Sequence, residues 1–321
     1  MEQTPILTVT LNPALDFTGV VPQMGARRKL RLKETSCEPG GGGINVARAI
    51  RRMGGDAQAF APLGGGIGTH LAELLEAEGV PMVWFGIDGQ TRHSLAVHES
   101  ASGDQFRFVM PGPHWPPAQS EAALEAIAEA APRDCLVVLS GSQPPGVPDG
   151  FPAELAARLG SRRRLVIDTS GAALDAVLSG GGEARPDVLR MDQAEGDAAA
   201  GATLESVRES VDFAAGLVAR GVAHVVVLAR GAEGSILVDA QGLRLHCAPP
   251  TVELVSAVGA GDSFAGGFTL ALARGQPMSE ALRMGTAAAA AAVTTKGTEL
   301  CRGPDVERLL PQCRISEVPA G

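Results

Sequence analysis

Several things are missing from this sequence, and each absence removes a class of protein. No run of basic residues stands out. Lys and Arg number 27 against 36 Asp and Glu, a formal charge of −9, which argues against nucleic acid as the main partner. A local cluster of Arg and Lys can still focus positive potential on an acidic protein, so an anionic small substrate stays open. The Ala-rich stretch from Ala287 to Val293 is too short to span a bilayer and reads as a buried helix, so no membrane partner is expected. Cysteines are few and unpaired in pattern. Cys37, Cys135, Cys247, Cys301 and Cys313 are scattered, odd in number and without C-x-x-C spacing, as in a reduced intracellular protein without structural zinc. The first ten residues lack a charged region followed by an apolar run, so no signal peptide is expected and the protein is placed in the cytoplasm. The histidines do not group at metal-ligand spacing, and no Ser/His/Asp set is suggested. Gly-Lys-Ser and Gly-Lys-Thr are both absent, which excludes a Walker A loop. The segment Ala59 to Gly68, glycine-rich before a helix, lacks the G-x-G-x-x-G spacing and a suitably placed acid, so no NAD site is read there.

What is present is an α/β pattern. The chain has 321 residues and is 45% hydrophobic, enough for a sizeable core in one large domain or two smaller ones. Ile6 to Leu11 is β-branched and apolar and stops at Asn12-Pro13, a buried first strand. From Cys135 onward strands alternate with helical stretches. Cys135 to Ser140, Leu165 to Asp168, Val188 to Arg190 and His224 to Ala229 each end in glycine or polar residues. Such alternation predicts a mostly parallel sheet with helices on both faces and a binding edge at the C-terminal ends of its strands. Ser94 to Glu99 and Asp104 to Val109 alternate at period two around Ser102-Gly103, a hairpin signature.

Two glycine segments carry the chemistry. In Val255 to Phe268, Gly259 and Gly261 permit a tight turn and the close approach of an anion, and a helix follows. That places free N–H groups and the positive end of a helix dipole at the turn. Asp262 at this helix start has two readings: a helix cap, or a base that takes a proton from a hydroxyl attacking a phosphate held by the same N–H groups. In Glu38 to Ala49, four glycines, Gly40 to Gly43, precede a helix. There no side chain obstructs a ligand, and Asn45 in the first turn offers a donor and an acceptor to a sugar.

Together these segments resemble the paired signatures of the PfkB (ribokinase-like) carbohydrate kinases, closest to the PfkB-type 6-phosphofructokinases. The resemblance runs nearly end to end, through Leu11 to Asp16, Lys29 to Arg31, Glu38 to Ala49, Phe106 to Gly112, Ser140 to Gly146, Val258 to Ser263 and Gly297 to Cys301. It implies one ribokinase-like domain over 1–321, a mostly parallel sheet flanked by helices, with a small β lid from about 17–37 and 92–110 that excludes water from the reaction. It also implies a homodimer packed through that lid, and ATP and Mg²⁺ as cofactors, with K⁺ beside the anion hole. The expected reaction is ATP-dependent phosphorylation of a phosphorylated ketohexose, fructose 6-phosphate to fructose 1,6-bisphosphate.

The resemblance assigns roles residue by residue. Asp262 would be the general base, and Gly259, Ala260 and Gly261 the anion hole. Asp16, Gly41, Gly42 and Asn45 would bind the sugar. Lys29, Arg31, Arg92 and Ser142 would meet the substrate's own phosphate, with Lys29 and Arg31 acting on a neighbouring subunit's site. Arg230, Gly231, Gly234, Val258, Lys296 and Asp192 would lie at the nucleotide, and Glu195 with Asp192 would organise Mg²⁺ through water. Taken alone, Asp16 reads as a solvated loop acid, Lys29, Arg31 and Arg92 as surface charges, and Asp192 and Glu195 as acids at a helix start. Arg190-Met-Asp192 stands where the family has Lys-Pro-Asn, and Ala229 and Ala257 stand where it often has hydroxyl residues. One lost hydroxyl contact is worth about 0.5–1.5 kcal/mol. Thr294 to Thr298 replaces an Asn-containing run beside the adenine. These departures keep open a catalytically weak sugar-phosphate sensor. 1-Phosphofructokinase and tagatose-6-phosphate kinase remain alternatives within the class.

Overall fold

Apolar, β-branched strands form the centre of the molecule because they can be covered on both faces. The computed structural model describes residues 3–181, 185–295 and 297–319. The first strand, β1 (Ile6–Val9), is buried along its whole length and stops before Asn12-Pro13, where the chain pivots into a second sheet. There follow β2 (Ala14–Val21), β3 (Lys33–Gly40), α1 (Gly42–Arg52), β4 (Gln58–Leu63), α2 (Gly65–Ala77), β5 (Met82–Gly86), β6 (Arg92–Glu99) and β7 (Gln105–Val109). The middle of the chain adds α3 (Pro117–Ala130), β8 (Leu136–Ser140), α4 (Phe151–Leu159), β9 (Arg164–Asp168), α5 (Ala172–Ser179), β10 (Val188–Met191), α6 (Gln193–Ala200), α7 (Val207–Ala219) and β11 (Val225–Ala229). The last part holds β12 (Ser235–Asp239), β13 (Arg244–Ala248), α8 (Ala260–Ala273), α9 (Met278–Ala292), α10 (Gly303–Leu309) and β14 (Arg314–Glu317).

The large sheet has the order β14-β13-β12-β11-β10-β9-β8-β1-β4-β5. From β5 to β11 every pairing is parallel, as the alternation predicts. Three antiparallel pairings, β11 to β12 to β13 to β14, then extend the sheet on one side. Two apolar layers cover it. Val138, Val166 and Val227 face α1, α8 and α9, while Val137, Leu139 and Ile167 face the layer containing α3, α4 and α7.

The small sheet has the order β3-β2-β6-β7. Its outer hairpin is the expected one, with Leu95 opposite Phe108. Register sorts its two faces. Asp16, Ser94 and Val109 stand in one row across the sheet, and Ala96 and Arg107 in the next, all on one face. Phe17, Leu95 and Phe108 form the row on the other face. Phe17, Phe106 and Phe108 are exposed there.

Helix α8 is buried from Ser263 to Ala273, wedged between the sheet, α1 and α9. It fits because its inner faces are small. A Cβ on Gly266 would stand 2.9 Å from the Ala49 Cβ and 3.2 Å from the Val46 carbonyl oxygen of α1. Gly266→Val therefore has to push α1 and α8 apart. It is expected to destabilise the protein by about 1–3 kcal/mol, as overpacking of a filled core does, read as a lower urea midpoint with an unchanged slope. An unmoved midpoint would contradict this packing.

Candidate active site

The C-terminal ends of β1 and β8 open into a cleft of about 330 Å³, roofed by the inner face of the small sheet. Helices α1 and α8 point their N-termini at it. At α8 the N-cap is Gly259, in the left-handed region at φ 78°, with no side-chain cap. A residue with a Cβ is strained there. The turn leaves the first amides of α8 facing the cleft, with only a long 3.4 Å contact from the Ala260 N–H to the Ala257 carbonyl.

Asp262 lies in the first turn of α8, and its carboxylate does not cap the helix. Instead Oδ2 accepts a 2.9 Å hydrogen bond from the Asn45 Nδ2 of α1. Burial pushes its pKa up to about 6, the Asn45 bond and Arg190 opposing, Asp168 and Asp16 adding to the rise. A buried acid poised near neutrality, beside unpaired amides, suits proton transfer. Of the two readings that the sequence left open, the geometry takes the carboxylate out of the cap and into the cleft.

Asp16 sits on β2 with its carboxyl also pushed up by burial, against the opposing pull of Arg92, Ser94, Arg107 and Arg48. Arg92 donates through Nε and Nη2 to the Asn12 carbonyl at 3.2 and 3.1 Å. Its pKa is lowered by burial, which Asp16 opposes and Arg107 reinforces. Gly41, Gly42, Asn45 and Ser142 line the same cleft, as does Val258 on its far side. Ser142 Oγ accepts from Asn12 Nδ2 at 3.3 Å.

Other expected residues lie elsewhere. Lys29 and Arg31 are exposed on the connection from β2 to β3 and do not line the cleft of their own chain. Arg230, expected at the nucleotide, has its guanidinium turned inward and is 3% exposed. All five of its N–H donors are used. Nε and Nη2 reach Glu233 Oε2 at 2.9 and 2.7 Å, Nη1 reaches the Leu204 carbonyl at 2.9 Å and the Ser210 hydroxyl, and Nη2 also reaches the Glu205 carbonyl at 3.0 Å. Gly231 and Gly234 bracket a short turn after β11, outside the cleft lining. Lys296 falls outside the described residues.

Asp192 and Glu195 close a reciprocal capping box on α6. Asp192 Oδ1 accepts from the Glu195 N–H at 2.9 Å, and Glu195 Oε2 accepts from the Asp192 N–H at 2.8 Å. Each carboxylate keeps one oxygen free. Among the described residues, no three His, Cys, Asp or Glu side chains are grouped to hold a metal. That donor set fits Mg²⁺ carried by nucleotide phosphates and touched through water, rather than an ion caged by protein.

Sequence reading missed Arg107 and Arg48, and noted Arg190 only as standing where the family has Lys. Arg107 lines the cleft from β7, and period-two alternation already set it opposite Phe106 and Phe108. Arg190, at the end of β10, pairs with Asp168 at 3.1 Å and lies 6.0 Å from the Phe264 ring centre. It stands under Gly261, whose notional Cβ is 3.0 Å from Nη1. Arg48 is buried one turn beyond Asn45.

A family model, the pfkB family carbohydrate kinases, matches residues 10–304. The chain belongs to that family. It is 38% identical over 305 residues to the ATP-dependent 6-phosphofructokinase isozyme 2 of Escherichia coli, covering 95% of this chain and 97% of that protein. The 1-phosphofructokinase of Escherichia coli is 31% identical over 307 residues, covering 95% and 96%. Among solved structures, Escherichia coli phosphofructokinase-2 in complex with fructose-6-phosphate superposes with a TM-score of 0.88 at 36% identity, covering 96% of this chain and 99% of that one. The same enzyme has been solved in complex with potassium and in a tetrameric inhibited form. The protein is a sugar-phosphate kinase with the ribokinase-like fold. Among the described residues no helix is long and apolar enough to cross a membrane.

The inward Arg230 gives a test of its structural role. Arg230→Met is expected to cost about 3 kcal/mol, because it leaves Glu233 and the acceptors around it unpaired. The nucleotide KM should not move. A raised KM at unchanged stability would return Arg230 to the nucleotide.

Proposed function

We propose that the protein is an ATP-dependent 6-phosphofructokinase, transferring the γ-phosphoryl group of MgATP to the C1 hydroxyl of fructose 6-phosphate. One observation carries this reading: the buried Asp262 carboxylate, poised at about 6, stands at the mouth of a helix whose first amides face the same cleft. The 38% identity to a 6-phosphofructokinase, against 31% to a 1-phosphofructokinase, favours fructose 6-phosphate as acceptor.

Asp16 accepts hydrogen bonds from the sugar hydroxyls, and Asn45 with Gly41 and Gly42 hold the ring against α1. Arg92, with Ser142, grips the 6-phosphate, since a guanidinium meets phosphate oxygens in pairs. Asp262 takes the C1 proton as the oxygen attacks. The amides of Gly259, Ala260 and Gly261 stabilise the charge on the transferring group. The nucleotide lies along Val258, Gly231, Gly234 and, through its phosphates, Asp192. When bound, Mg²⁺ neutralises phosphate charge, and the free oxygens of Asp192 and Glu195 would hold its water shell. K⁺ would lie beside the anion hole, and a potassium complex of the relative supports the use of that ion.

The small sheet, from β2, β3, β6 and β7, is the lid of a single kinase domain. Its aromatic outer face supports a lid-to-lid homodimer in which Lys29 and Arg31 reach the partner's phosphate site. Five free thiols, four of them buried, suit a cytoplasmic protein.

A coupled ADP-release assay across fructose 6-phosphate, fructose 1-phosphate, tagatose 6-phosphate, fructose and ribose tests the acceptor. Fructose 6-phosphate is expected to give the highest kcat/KM, and a different winner overturns the assignment. Asp262→Asn should lower kcat by roughly 10²–10⁴-fold. The working base is the ionised form, so kcat/KM should fall as pH drops through about 6. A variant with near-normal kcat removes Asp262 from its role. Phe108→Glu should turn a sedimenting dimer into a monomer, and an unchanged sedimentation coefficient would reject the lid interface.

A further inference from the structure

The geometry points to Arg48 as a positioning residue for the phosphoryl transfer: it locks the Asn45 amide in the one orientation that donates to Asp262, and Glu78 anchors it from the end of α2. This rests on Asp262 being the base.

Arg48 is 2% exposed, yet all five of its N–H donors are met. Nε and Nη2 grip Glu78 in a two-pronged pair, both at 2.7 Å. Nη2 also reaches Glu38 Oε2 at 3.3 Å, and Nη1 reaches the Pro39 carbonyl at 2.9 Å. The remaining Nη1 donor points at Asn45 Oδ1, 3.3 Å away. An asparagine amide has one acceptor end and one donor end. With Oδ1 held by a cation that can only donate, Nδ2 must face Asp262.

The consequence concerns protonation. A free amide could flip, and its Oδ1 would then accept from a protonated Asp262, stabilising the inactive form. A flipped amide beside Arg48 would put two donors face to face, at the cost of an unmet buried group. Arg48 thus selects the ionised carboxylate through Asn45. The other charged groups that face Asp262 are Asp168 of β9, Arg190 of β10 and Asp16 of β2. Those facing Arg48 are Glu38 of β3 and Glu78. Arg48 also acts on Asp16, so the test should keep its charge.

Arg48→Lys keeps the charge and loses the fork. It is expected to lower kcat by about 10–100-fold through loss of alignment, and to move the acid limb of kcat/KM upward by about one pH unit. Glu78→Gln should shift the limb the same way by less, and serves if the lysine variant does not fold. Ile50→Val, buried on the same helix, should lower the melting temperature and leave the limb in place. Combining Arg48→Lys with Asn45→Ala should add nothing to Asn45→Ala alone, since both break one line of action. A lysine variant with an unmoved limb and wild-type kcat overturns the relay, as does full additivity of the two substitutions. The base itself is judged separately. An active Asp262→Asn enzyme refutes the base, whereas an inactive one with an unmoved Arg48→Lys limb refutes only the relay.

Discussion

The close approach of α1 to α8 is the constraint on which the site depends. Gly266 brings the two helices near enough for Asn45 to touch Asp262 at 2.9 Å. A wider crossing would separate the amide from the carboxylate and open the cleft to water. The same contact presents two helix N-termini to one small volume, which is a general device for holding anions. Burial of α8 then raises the pKa of Asp262, while the Asn45 bond restrains the rise. Packing and acidity are thus outcomes of one geometric choice.

An acidic protein has gathered its positive charge where it is needed. Arg48, Arg92, Arg107 and Arg190 all stand at or beneath the cleft, interleaved with Asp16, Asp168 and Asp262. Pairing lets Arg48 and Arg190 be desolvated without a bare charge in the interior. Among the described residues Arg92 and Arg107 make no ion pair: Arg92 is held by the Asn12 carbonyl, and Arg107 is left to meet an incoming anion.

The strand ends, the glycine run before α1, the hairpin of β6 and β7 and the buried alanine helix were all readable, because period and glycine placement are local signals. What could not be read is set by side-chain direction over long range. Arg230 follows a strand exactly where a ligand contact is expected, yet Glu233 three residues later and Ser210 on α7 draw it inward. Asp192 and Glu195 carry a spacing that serves a cap as well as a metal, and spacing alone does not separate the two. Arg48 looked like any basic residue on an amphipathic helix, because its partner Glu78 arrives from the far end of α2. The antiparallel extension through β12, β13 and β14 was likewise hidden, since a strand's direction depends on the partner it finds.

The order of the chain separates two tasks. Every residue assigned to the acceptor sugar, from Asp16 to Ser142, comes before β9, and every residue assigned to the donor nucleotide comes after it, from Asp192 onward. Asp262, accepting from Asn45, joins the two sets at the cleft. On the proposed assignment, acceptor preference and donor preference are written in different stretches of the chain. A lineage can exchange one sugar for another by changes in its first half while inheriting its nucleotide chemistry whole.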